Sequence, residues 1–145
     1  MNNLQNTIKS LMKSRRFDEA LSRMDEIGPE SWTPTLWVLR GKCIQLAEDT
    51  SLPLDEAKKS FQRALELDAN CLEAWIELGY YVLCVEDDAQ EASTIFQNAQ
   101  RIMAEYEKEI QKGLLQCEEE RTERGANPDS AEASEQIWKH VKESY

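Results

Sequence analysis

The chain has 145 residues, 41% of them apolar and 31% charged, and its 28 acidic against 17 basic residues give a formal charge of −11 at pH 7. A single domain of this length buries roughly 70% of the surface its unfolded chain exposes, so a real core is expected and a disordered or collagen-like chain is not. Phosphate binding needs a basic surface, so nucleic acid is not an expected partner.

The opening segment MNNLQNTIKS has no basic stretch followed by an apolar run, and no segment approaches the roughly 18 apolar residues of a membrane span. A soluble, cytoplasmic protein is the expectation. Four cysteines (Cys43, Cys71, Cys84 and Cys117) lack CxxC spacing and fall in helical patterns. They are therefore expected to be reduced and mostly buried, with neither a zinc site nor disulfides.

In chain order, the periodicity predicts helices over residues 2–13, 17–27, 34–48, 54–67, 71–85, 89–123 and 130–144, an all-α chain. Pro29 and Pro34 bracket the turn before the third helix, and Pro34 suits a first helical turn. Glu48 to Pro53 reads as a turn. Asn70 is expected to cap the fifth helix and Asp87 or Asp88 the sixth. Gly125-Ala126-Asn127-Pro128 is a stop signal, after which Ser130 starts the last helix.

Three segments of this pattern align with one another. Asp18-Glu19-Ala20, Asp55-Glu56-Ala57 and Gln90-Glu91-Ala92 are each followed by a large apolar residue (Met24, Phe61, Phe96), then by Ile27, Ala64 or Ala99. Small, large and small residues at those spacings share one helix face. Upstream, Trp37 and Gly41 recur as Trp75 and Gly79, with Leu4 and Ile8 as a degraded first copy. The glycines and alanines let paired helices approach, and the Trp and Phe side chains fill the remaining space. A large residue in place of Gly79 should overpack that contact, at about 1 to 3 kcal/mol.

On these residues the chain resembles the tetratricopeptide repeat family, whose unit is a 34-residue antiparallel helix pair. The second copy matches best, through Trp37, Gly41, Ile44, Asp55-Glu56-Ala57, Phe61, Ala64 and Leu65 to Asn70, with Ala69 where the family has its closing proline. The resemblance implies a helical-hairpin solenoid of three repeats, about 1–33, 34–70 and 71–103, followed by a region 104–145 that holds the end of a long sixth helix and a C-terminal capping helix. In such an array the first helix of each pair lines a concave surface. That surface would carry Gln5, Lys9 and Met12 from the first repeat. Thr35, Val38, Lys42 and Gln45 would follow from the second, and Glu73, Ile76, Tyr80 and Leu83 from the third.

The implied function is a protein-protein interaction module, adaptor or chaperone-like, that takes a peptide or amphipathic helix with cationic and apolar anchors. The carboxylate clamp of one family subtype corresponds to Gln5, Lys9, Leu39, Glu73 and Glu77. Two carboxylates stand where it needs cations, so that ligand is rejected. Small bacterial secretion chaperones of the same class are similar in size, and no residue marks that subgroup.

From Ile102 an apolar stripe continues through Met103, Tyr106, Ile110, Leu114 and Cys117. It needs a cover. Ala133, Ile137, Val141 and Tyr145, with Trp138 beside them, offer one as an antiparallel hairpin, and a homodimer assembled through the long helix is the alternative. A third reading is an accessory subunit that holds a catalytic partner.

Catalysis is not expected. His140 is the only histidine and has no HExxH partner. Glu86-Asp87-Asp88 lacks calcium-loop spacing, and Glu118-Glu119-Glu120 points in successive directions around a helix. Neither a metal nor another cofactor is called for, and no nucleic-acid or membrane partner is expected.

Overall fold

The computed structural model describes residues 2–125 and 137–143. Among the described residues the regular elements are helices: α1 (Asn2–Lys13), α2 (Phe17–Asp25), a 3-10 turn (Pro29–Ser31), α3 (Pro34–Leu46), α4 (Asp55–Leu67), α5 (Leu72–Cys84) and α6 (Ala89–Arg124). Residues 137–143 are also helical. None of these helices is long and apolar enough to cross a membrane. The chain divides into two compact units, Met1–Met103 and Ala104–Tyr145.

Local chemistry sets the helix starts. Thr33 Oγ1 accepts from Leu36 N at 3.2 Å, and Pro34 occupies the first turn of α3, where its missing N–H costs nothing. Asp88 Oδ1 accepts from Glu91 N at 3.0 Å and so caps α6. Asn70 does not cap α5. Cys71 stands at that N-cap without a side-chain bond, and the turn is held by Asp68 Oδ1 accepting from Asn70 N at 3.0 Å and by Trp75 Nε1 donating to the Ala69 carbonyl at 2.8 Å. Three short connections rest on left-handed residues: Arg15 (φ 60°) between α1 and α2, Gly28 (φ 84°) before the 3-10 turn, and Asp87 (φ 55°) between α5 and α6.

In the first unit, α1 packs on α2, α2 on α3, α3 on α4 and α4 on α5, while α1 also meets α3 and α3 meets α5. The core holds Ile8, Ala20, Met24, Leu36, Trp37, Val38, Ile44, Ala57, Phe61, Ala64, Val82 and Ala92, all buried. Two contacts repeat. A Cβ built on Gly41 would come within 2.7 Å of the Phe61 ring, and one on Gly79 within 2.7 Å of the Phe96 ring. The glycines are thus required by close approach, and each seats an aromatic ring from the following helix. The first copy departs from the pattern, because α2 ends at Asp25 and leaves Ile27 47% exposed where Ala64 and Ala99 are buried.

The second unit continues α6 from Ala104. Tyr106, Ile110 and Leu114 are each more than half exposed. Ile137, Trp138 and Val141 instead line an open groove of about 740 Å³ against Gly113, Cys117 and Arg124. Of the stripe, Cys117 shares that groove with Ile137 and Val141, whereas Tyr106 and Ile110 are not among its walls and stay exposed among the described residues. Ala133, Tyr145, Ser130 and the Ala126 to Pro128 part of the stop signal lie outside the described residues.

The thiols also differ from expectation. Cys43 is buried and Cys71 half-buried, but Cys84 and Cys117 are exposed. Burial pushes the Cys43 thiol up to about 12, against a weaker opposing pull from Lys42, and burial likewise raises Cys71. Titration with a disulfide reagent at pH 8 is expected to show two fast thiols, Cys84 and Cys117, and a Cys43 that reacts only after denaturation. Fast reaction of Cys43 would contradict its place in the core.

Candidate functional site

The surface with the most chemistry lies along α1, α3 and α5. Lys42 on α3 reaches across to α5, its Nζ 2.9 Å from Glu73 Oε1 and 3.7 Å from Glu77 Oε1. Burial, the largest single influence on this ammonium, lowers its pKa, but the two carboxylates together outweigh it and hold the group above 10.5. Stability from the bridge is therefore fully present below pH 10.5 and is lost as the pH rises through the higher folded value. Beside the bridge, Tyr80 is 55% exposed, with its ring edge-on to Phe96 at 5.1 Å between centroids. One side of the phenol is fixed and the other faces water. Leu83, one turn further along α5, is also exposed.

The residues expected on this surface divide by burial. Lys9 and Glu73 are exposed like Tyr80 and Leu83, while Gln5, Thr35, Lys42, Gln45 and Ile76 are half-buried. Met12 is half-buried and packs on the core. Val38 is a correction: its side chain is wholly buried and cannot touch a ligand. The reason is the position of α3, which has helices on several sides and buries Leu36, Trp37, Val38 and Leu39 in succession. Lys42 and Glu73 are the two expected residues that a direct bond joins.

A second cluster, not anticipated from the sequence, lies on the other side of α3, two residues from Lys42. Trp32 and Trp37 meet edge-to-face at 4.6 Å, and the guanidinium carbons of Arg40 and Arg63 lie 5.9 and 5.5 Å from the Trp37 ring centroid. Arg40 also donates to Ser60 Oγ at 2.7 Å and lies 3.7 Å from Glu56 Oε2. These side chains border a groove of about 440 Å³. Its cations are already matched, since Lys59 pairs with Glu56 at 3.1 Å and Arg63 with Glu66 at 2.8 Å. The arrangement fastens α3 to α4 and the preceding loop. The sequence signal was the close succession Trp32, Trp37, Arg40, which matters only once α4 brings Arg63 to the same ring.

Among the described residues no three His, Cys, Asp or Glu side chains converge as a metal site requires. No protein-family model matches the sequence, and the search of curated proteins gives no match.

Proposed function

We propose that residues 1–103 are a tetratricopeptide-type array of three helical hairpins that binds a protein partner on the face shared by α1, α3 and α5. The partner is a peptide or amphipathic helix, and the protein acts as an adaptor or chaperone-like module in the cytoplasm, without chemistry of its own. The observation that carries the reading is the exposed Tyr80 and Leu83 on α5 beside the Lys42 bridge, an apolar anchor point next to a charge cluster. Two further facts support it. The first helices α1, α3 and α5 contact one another in sequence, and the Gly41 to Phe61 contact recurs as Gly79 to Phe96.

Along this face the charge changes sign, from Lys9 and Lys13 on α1 to Glu73 and Glu77 on α5. Because Lys42 is matched by two carboxylates, the α5 end keeps an excess negative charge. An incoming segment is thereby oriented with its acidic end toward α1 and its basic end toward α5.

The test is an affinity capture from the lysate of the source organism, wild type against a Lys42→Glu with Tyr80→Ala double variant whose helical content is checked by circular dichroism. The expected result is loss of a specific partner in the variant. Retention of every partner would remove this face from the function.

A further inference from the structure

The stretch of α6 from Ala104 onward has its own unpartnered face. Tyr106, Ile110 and Leu114 follow one another at steps of four, so they form one stripe, and they are 51%, 62% and 57% exposed. A lone helix with such a stripe is marginal in water, because most helical stability in proteins comes from packing an apolar face. The groove that holds Ile137, Trp138 and Val141 begins at Gly113, so Tyr106 and Ile110 are not among its walls.

Charge decides what could cover the stripe. Glu107 and Glu118 run along one edge of it and Glu109 and Glu120 along the other, while Lys108 and Lys112 project from the far side of the helix. Arg121 and Arg124 lie at the C-terminal end and pair with Glu118 at 3.3 Å and Glu120 at 3.2 Å. Glu107 and Glu109, at the Tyr106 and Ile110 end, form no such pair among the described residues, and residues 104–124 hold seven acids against four bases. A second copy of this helix would bring carboxylate edges against carboxylate edges, the like-charge arrangement by which flanking positions of a helix seam disfavour self-pairing. A basic helix would meet the same edges favourably.

We infer that the Tyr106, Ile110 and Leu114 stripe of α6, edged by Glu107 and Glu109, is a docking face for a cationic amphipathic helix of a partner protein. The partner places apolar residues over the stripe and Lys or Arg side chains along its borders, where their stems cover apolar surface and their charges reach the glutamates. This stripe is made of other residues than the α1, α3 and α5 face, and the inference does not rest on that reading.

The probe is a labelled 18-residue amphipathic helical peptide of Leu and Lys, titrated with the full chain by fluorescence anisotropy, against a Leu and Glu peptide of the same pattern. The Lys peptide is expected to bind saturably and the Glu peptide not at all. Glu107→Lys with Glu109→Lys should weaken binding about tenfold or more, and Ile110→Ser, which leaves charge unchanged, should weaken it by at least about fivefold. Glu48→Lys with Asp49→Lys makes the same change in net charge on an exposed loop and should alter it by less than about twofold. Far-UV circular dichroism shows that the helix persists in each variant. Equal weakening by the two charge variants, binding of the Glu peptide, no binding of either peptide, or a dimer in sedimentation that Ile110→Ser dissociates would each overturn the proposal.

Discussion

Phe61→Ala is expected to lower the free energy of unfolding by about 3 to 5 kcal/mol in urea denaturation followed by circular dichroism. The ring is wholly buried between α3 and α4, and it fills the space that the missing side chain of Gly41 leaves open. Truncation removes its transfer free energy and leaves a cavity that Gly41 cannot fill. The converse change is also unfavourable. Gly41→Ala places a methyl group within 3 Å of a ring with no room to move, at about 1 to 3 kcal/mol, although alanine is otherwise the better helix former. In a Phe61→Leu background the methyl enters vacated space, and the same Gly41→Ala change should become neutral or stabilising by up to about 1 kcal/mol. A purely additive double variant would show that the two positions do not share that space.

Trp37→Ala should cost a similar amount, about 3 to 5 kcal/mol. Trp37 is 8% exposed and touches three separately contributed groups: Trp32 from the loop, Arg40 from its own helix and Arg63 from α4. Removing the indole deprives Arg63 of its aromatic surface and leaves Arg40 with the Trp32 ring alone, 5.7 Å away. Arg63→Ala, by contrast, loses one exposed contact and an exposed pair with Glu66, and should cost about 1 kcal/mol or less. Urea midpoints for the two variants decide the matter. Equal midpoints would show that Trp37 is not the centre of this cluster.

Much of the helical layout was legible because its determinants are local. Pro34 behind Thr33, Asp88 before Ala89, and the recurring Asp-Glu-Ala each act within a few residues, and α1, α3, α4, α5 and α6 fall where the periodicity puts them. The glycine to aromatic contacts were legible for a related reason, since small and large residues at complementary positions can be matched without coordinates. Burial on α3 was not. Leu36-Trp37-Val38-Leu39 is apolar around the whole circumference of the helix, so periodicity cannot say which side faces out, and Val38 lies on the buried one. Ile27 failed because a helix that stops at Asp25 no longer carries the spacing rule. The Trp37 cluster was hidden because Arg63 lies 26 residues away in the sequence, and only tertiary packing brings the two together.

The order of helix packing also bears on how the chain reaches its fold. The extensive contacts of the first unit join helices that are adjacent in sequence or one helix apart. Little loop entropy is lost before each contact forms, so folding is expected on the microsecond to millisecond scale typical of low contact order. The α3 and α4 pair, tied by both the Gly41 to Phe61 contact and the Trp37 cluster, is the natural nucleus. Substitutions there should slow folding, while changes in α1 should mainly speed unfolding.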